Sequence, residues 1–228
     1  AHVTFGFPDL KTHAKLCVVV RREGKSVRTY CHIGTGNYNP NTARFYTDFG
    51  LLTAHREIVR DVAAIFHHLT SLSQPPRLKH LWWAPHTMKN NLLAAITAEA
   101  RAAKAGKPAR IMARVNALTD EEVMTALCAA SEAGVEIDLI VRGACCLRPN
   151  VEGKTTRLRV RSIVGRFLEH SRIWAFGNGD ALPNDKAKVF ISSADWMPRN
   201  FDRRVEYMLP IENPTVHDQV LEQVMVAN

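Results

Sequence analysis

The chain has 228 residues, 30 Lys and Arg against 22 Asp and Glu, a net charge of +8 and 46% hydrophobic residues. That length and composition exclude a disordered tail or a mini-protein and allow one or two packed domains. No apolar run reaches the roughly 18 residues that a membrane helix needs, and positive charge spread along a folded chain implies a polyanionic partner: nucleic acid, phospholipid or a phosphate polymer.

The start, "AHVTFGFPDLKTH", has neither the charged nor the long apolar region of a signal peptide. It lacks an initiating Met, so a fragment or a processed chain is expected. In "DLKTHAKLCVVV", His13 and Lys15 precede an apolar run from Leu16 to Val20. Residues i and i+2 of a strand share a face, so the two side chains look the same way. The motif "GTGN" at Gly34 is too short to indicate a nucleotide loop. "REIVRDVAAIFHHL" sets Ile58, Val62, Ile65, Phe66 and Leu69 at helical spacing, with His67 and His68 read as surface or rim residues. "SLSQPPR" breaks the pattern at Pro75 and Pro76 and reads as a linker.

Helix and strand then alternate. "NNLLAAITAEARAAKAG" predicts a helix ending at Gly106, and "ARIMARVNAL" a strand. Thr119 and Glu122 predict a capping box for the helix "DEEVMTALCAASEAG", which closes at Gly134. "VEIDLIV" reads as a buried strand with Arg142 at its carboxyl end, the edge where α/β sheets bind ligands. "EGKTT" mimics the end of a P-loop, but Arg148 stands where the leading glycine belongs. Strands are expected near "SRIWAF" and "AKVFISS", and "PTVHDQVLEQVMV" predicts a terminal amphipathic helix. The class is α/β. Cys17, Cys31, Cys128, Cys145 and Cys146 form no CxxC pair and read as small buried hydrophobes in a reducing compartment. His2, His32, His55, His80, His86 and His217 read as surface or capping residues.

An internal repeat gives the opening motif a meaning. "HAKLCVVV" and "HSRIWAF" each run histidine, small residue, cation, apolar strand: His13 and Lys15 in the first, His170 and Arg172 in the second. Downstream, Asn37 and Asp195, Tyr38 and Trp196, Pro40 and Pro198, and Asp48 and Glu206 all lie 158 positions apart. The recurrence in register predicts two homologous half-sites facing one cleft. Two opposed histidines flanked by cations suit phosphoryl transfer. A neutral imidazole is a fair nucleophile at pH 7 and forms a phosphoramidate; cations balance the phosphoryl oxygens, and the second histidine handles a proton. Tyr38 and Trp196 read as core wedges; Arg199, Arg203 and Arg204 either line a phosphate path or pair with Glu206.

The layout resembles the phospholipase D superfamily motif H-x-K-x4-D. The aspartate position holds Val20 in one copy and Gly177 in the other, and Arg172 replaces the second lysine. A hydrolytic phosphodiesterase or nuclease is thereby disfavoured. "LKTHAK", "HIGTGNYNPNTARFYTDFGLLT", "ASEAGVEIDLIVRGACCLRP", "SIVGRFLEHSRI" and "ISSADWMPRNFDRRVE" look like the carboxyl-terminal part of the bacterial polyphosphate kinase family. The resemblance implies two phospholipase-D-like α/β domains, the first only partly present: residues 1–74, a linker at 75–85, and the second domain at 86–228. It implies reversible transfer of the ATP terminal phosphate to inorganic polyphosphate, with His13 autophosphorylated, His170 at the nucleotide, Lys15 and Arg172 beside them, and Tyr46 and Arg142 contacting nucleotide. ATP or ADP with Mg2+ is implied; the magnesium-linked positions fall upstream of residue 1, so no metal residue is carried over. Arg114 stands where the family usually has lysine. No nucleic acid partner is expected, an oligomer of like subunits is expected in the intact enzyme, and the location implied is cytoplasmic or peripheral at the inner membrane face. A non-catalytic polyanion-binding fragment is the remaining alternative.

Overall fold

The computed structural model describes residues 2–226. The strands are β1 (Lys11–Thr12), β2 (Leu16–Glu23), β3 (Ser26–Gly34), β4 (Tyr46–Thr47), β5 (Gly50–Thr53), β6 (Trp82–Ala84), β7 (Arg110–Val115), β8 (Glu136–Val141), β9 (Leu158–Arg161), β10 (Leu168–Glu169), β11 (Ile173–Phe176), β12 (Lys188–Ser192) and β13 (Arg204–Pro210). The helices are α1 (Arg56–Ser71), α2 (Met88–Lys104), α3 (Glu121–Glu132), α4 (Pro198–Asp202) and α5 (Pro214–Asp218), the last continuing as a π-helical segment, Gln219–Val226. The class is α/β, as the alternating pattern requires. None of the helices described is long and apolar enough to cross a membrane.

One eight-stranded mixed sheet runs β1-β13-β12-β11-β7-β8-β9, with β6 also on β13; a second sheet is β2-β3-β5, and β4 pairs with β10. The large sheet is buried on both faces, which is why "IWAF" and "VFIS" read as continuous apolar runs with no alternation. Trp174 and Phe176 face one core with Leu92 and Ile96 of α2 and Val123 and Leu127 of α3. Ile173 and Ala175 face the other, with Ile58, Val62 and Ile65 of α1 and Cys31 and Ile33 of β3. Each fully buried Ile, Leu or Phe contributes about 1.5–3 kcal/mol, so the two-sided core fixes the strands that hold the site.

Several expectations need correcting. Thr119 does not cap α3. Asp120 is the N-cap and accepts a bond from the Val123 amide at 3.1 Å, while Glu122 reaches Lys89 at 2.6 Å. Asp120 sits three residues before the Val123 amide that needs an acceptor, the spacing of an N-cap, whereas Thr119 stands one residue too early. The segment 75–85, read as linker, contains β6, whose Trp82–Ala84 pair with Glu206–Met208; Leu81, Trp83 and Ala84 are buried. His68 is buried against Phe7 and Trp83, with Nδ1 2.6 Å from the Ser73 carbonyl, whereas His67 is exposed. His217 is buried and bonds Ala187 O at 2.9 Å. Of the cysteines only Cys31 is buried; Cys17, Cys145 and Cys146 are exposed. Trp196 is a core residue, but Tyr38 is exposed and meets His32 Nδ1 at 2.7 Å.

The sequence repeat is a repeat of hydrogen-bond register. His32↔Leu52 and Ile33↔Leu51 in the small sheet recur as Phe190↔Pro210 and Ile191↔Leu209 in the large one. Leu16↔Ile33 recurs as Ile173↔Ile191. The two short parallel pairs cross between halves: Lys11↔Arg204 and Thr12↔Val205 in one, Leu168↔Tyr46 and Glu169↔Thr47 in the other. The short strand that leads into each histidine therefore pairs with the strand that carries or leads into the other half's acid.

Candidate active site

The crossing delivers each histidine to a carboxylate of the opposite half. His13 N–H donates to Val205 O at 3.1 Å, and His170 N–H to Thr47 O at 3.1 Å. His13 Nδ1 then lies 2.8 Å from Glu206 Oε1 and 2.9 Å from Oε2. His170 Nδ1 lies 2.9 and 3.0 Å from the two Asp48 oxygens. Hydroxyls in matched turns serve both acids: Thr35 donates to Asp48 at 2.7 Å, and Ser193 donates to Glu206. A carboxylate on Nδ1 fixes each ring and leaves Nε2 of His13 as the nitrogen available for chemistry, whereas Nε2 of His170 lies 3.1 Å from Arg172 Nη1. Asp48 and Glu206 were recognisable as a recurring pair, but nothing in the sequence assigned them these partners.

The cations also repeat. Lys15 Nζ donates to His13 O, and Arg172 Nη1 donates to His170 O at 2.8 Å. Arg172 Nε and Nη2 grip Asp195 in a two-bond fork, each at 3.0 Å, and its Nη1 reaches Thr35 O of the first half at 3.4 Å. That contact and the two crossed histidine–acid pairs set the half-sites against each other across the boundary between the halves.

The two pairs differ in exposure. The Glu206 side chain is 0% exposed and takes a further bond from Asn200 Nδ2 at 2.6 Å; the Asp48 side chain is 19% exposed. Burial holds His13 below the ordinary histidine value, against the pull of the Glu206 hydrogen bond and charge. Burial pushes Lys15 down to about 8; Glu206 opposes that shift, and Arg172 and Arg204 reinforce it. Of the remaining cations near the site, Arg204 is half-buried 4.0 Å from Glu206, whereas Arg199 and Arg203 are exposed.

Of the two residues expected to contact nucleotide, Tyr46 falls beside His170. The Tyr46 ring lies 5.0 Å from the His170 ring, tilted by 54°. Tyr46 and Arg142 line one cavity of about 380 Å³, together with Phe45, Phe167 and Glu169. Arg142 Nε is held by Asn116 Oδ1 at 2.7 Å, and Arg114 pairs with Glu169 at 2.8 Å. Among the described residues no group of three or more His, Cys, Asp or Glu could hold a metal ion. Asp48 and Glu206 are each committed to a histidine and a hydroxyl, so these residues do not fit a magnesium site, and no step below is routed through one.

Fold and site together define a duplicated α/β protein with two crossed histidine–acid half-sites. Residues 1–75 match "Polyphosphate kinase C-terminal domain 1" and residues 81–227 match "Polyphosphate kinase C-terminal domain 2", so the chain belongs to the polyphosphate kinase family. It is 53% identical to a polyphosphate kinase of Erythrobacter litoralis over 99% of this chain and 32% of that protein. It is 49% identical to one of Thermosynechococcus vestitus over 99% of this chain and 30% of that protein. The crystal structure of polyphosphate kinase from Porphyromonas gingivalis superposes with a TM-score of 0.86 at 41% identity, covering 94% of this chain and 33% of that one. The chain thus spans about a third of the length of these relatives.

Proposed function

We propose that this chain carries the phosphoryl-transfer centre of a polyphosphate kinase, moving the terminal phosphoryl group of ATP reversibly to inorganic polyphosphate through His13. The supporting observation is the His13–Glu206 pair: a histidine that burial keeps neutral, locked through Nδ1 by a sealed carboxylate. The Nε2 lone pair attacks the γ-phosphorus, the P–N bond forms, and the P–O bond to ADP breaks with its electrons leaving on the ADP oxygen. The ring is then an N-phosphorylated imidazolium whose charge rests against Glu206. A terminal polyphosphate oxygen attacks the same phosphorus, the P–N bond breaks, and its electrons return to Nε2.

Lys15 and Arg172 balance charge on the transferred group. Tyr46 and Arg142 hold the nucleotide in the cavity beside His170, which supports the leaving group. Mg2+ would arrive with the nucleotide phosphates and neutralise their charge. Residues from the rest of a full-length enzyme complete the site, and association with like subunits or with a membrane surface belongs to that larger assembly. The test is labelling with γ-³²P-ATP followed by peptide mapping. Acid-labile, base-stable label on His13 supports the reading; label on His170 reverses the two roles, and phosphodiester hydrolysis without label gives the site to phospholipase-type chemistry.

A further inference from the structure

We propose that Gly36 is a positioning residue for the His170 half-site, leaving the space that the acid orienting that histidine occupies. Asp48 lies directly over Gly36. A Cβ built on Gly36 would stand closer than 3.0 Å to Asp48 Oδ2, Cγ and Cβ alike, a separation that real Cβ atoms essentially never show. Gly36 does not adopt a positive φ, so the demand is for space alone. Three atoms of one short side chain are involved, one of them its own Cβ, so rotating the carboxylate does not relieve the clash. That carboxylate is held by Thr35 Oγ1 at 2.7 Å and by His170 Nδ1 at 2.9 Å. A methyl group at position 36 therefore displaces the group that aims the imidazole.

The second half supplies an internal control. The position 158 residues beyond Gly36 is Ala194, fully buried in the equivalent turn. Its methyl belongs to the core that holds Ala84 and Met208, and the acid 158 beyond Asp48 is Glu206, one methylene longer. Glu206 still reaches His13 Nδ1 at 2.8 Å and still takes the turn hydroxyl, here Ser193. Thr35 and Ser193 also return the same backbone bonds, Phe49 N–H donating to Thr35 Oγ1 at 2.9 Å and Tyr207 N–H to Ser193 Oγ at 3.1 Å. The turn is thus conserved between halves while two features change together: glycine goes with aspartate, alanine with glutamate.

For catalysis the proposal rests on the transfer reaction given above; for the placement of His170 it does not. The test uses the full-length enzyme carrying Gly36→Ala, Asp48→Asn, both together, and Gly36→Ala with Asp48→Glu. Misplacement of a reacting group by about 1 Å costs about 10²-fold in rate, so Gly36→Ala should slow phosphorylation from ATP on that scale. In the Asp48→Asn background Gly36→Ala should cost nothing further, because the displaced group is already lost. The Gly36→Ala, Asp48→Glu pair should stay slow, because a glutamate at 48 keeps the Cβ that meets position 36. The low-field proton resonance of a His170 Nδ1–H held by a carboxylate should be present in the wild type and absent both in Gly36→Ala and in that pair. Wild-type rate and an intact resonance in Gly36→Ala overturn the proposal, as does an equal loss in the Asp48→Asn background. If Gly36→Ala does not fold, Gly36→Ala with Asp48→Gly decides: removing the Cβ that position 36 meets should restore folding, and a pair that stays unfolded overturns the proposal. If the wild type does not label at His13, the reaction assigned above fails, and the resonance still decides the role of Gly36.

Discussion

His13 and Lys15 make the centre pH-dependent in two directions. Burial lowers the His13 value, so on the proposed mechanism the acid limb falls below the ordinary histidine range, and above it the ring is neutral and free to attack. Lys15, pushed down to about 8, loses its charge as pH rises through that value. The rate of phosphorylation should therefore drop on the alkaline side near pH 8, and Lys15→Arg should move that drop to higher pH in a stopped-flow profile; an unmoved limb assigns it to another group. Stability should go the other way. The folded value lies below the unfolded value of 10.5, so between about pH 8 and 10.5 the unfolded chain binds more protons than the folded one, and unfolding free energy rises with pH across that window. Replacing His13 by Ala should abolish labelling, since it removes the attacking nitrogen. Replacing His170 by Ala should slow labelling by about 10²–10⁴-fold, the usual worth of general acid–base assistance, without moving the label. The histidines, their cations and the recurrence of Asp48 and Glu206 were all legible in the sequence. The assignment of each acid to the opposite histidine was not, because spacing along a chain carries no record of which strands lie side by side.

The long elements followed from periodicity, since α1, α2 and α3 each bury a stripe that only a helix can present. The short ones escaped it. β6 is three residues long and follows a proline pair, so it carries no period, and only its pairing with β13 makes it a strand. The cysteines misled because an apolar neighbourhood in sequence does not decide which face of a strand is covered: Cys17 and Cys31 lie on adjacent strands, one exposed and one buried. At α3 the observed cap makes a sharper prediction than the expected one. Asp120→Ala should cost about 0.5–2 kcal/mol in a denaturant melt, and Thr119→Ala much less, because Thr119 contributes its backbone amide to Trp196 O and no side-chain cap. The reverse order would restore the capping box. A core truncation sets the upper scale. Trp174→Ala, at the centre of the first core with its ring 5.5 Å from Trp196, should cost about 3–5 kcal/mol.

Across the whole molecule, the +8 charge and the crossed strands concern different properties, binding and cooperativity. If the cations of the cleft and surface engage a phosphate polymer, affinity should fall steeply between low and several hundred millimolar salt, because exposed charge pairs are screened over about a Debye length; a flat dependence in a filter-binding assay would mean that the charge is only solvated surface. Cooperativity follows from the crossing. β1 of the first half completes the sheet of the second beside β13, β4 pairs with β10, and the core beneath α1 contains Cys31 and Ile33 from one half and Ile173, Ile191 and Leu209 from the other. Neither half can leave without exposing the other's apolar face, so the chain should unfold as one unit. The residues offer separate reporters. All four tryptophans, Trp82, Trp83, Trp174 and Trp196, lie in the second half, while the exposed Cys17 sits on β2 of the first. In a Cys145→Ser, Cys146→Ser background, a fluorophore on Cys17 and the intrinsic tryptophan signal should give the same midpoint and slope in urea, the signature of a two-state transition. Two separated midpoints would mean that the halves hold together only loosely, and that the histidine–acid pairs between them break before either domain melts.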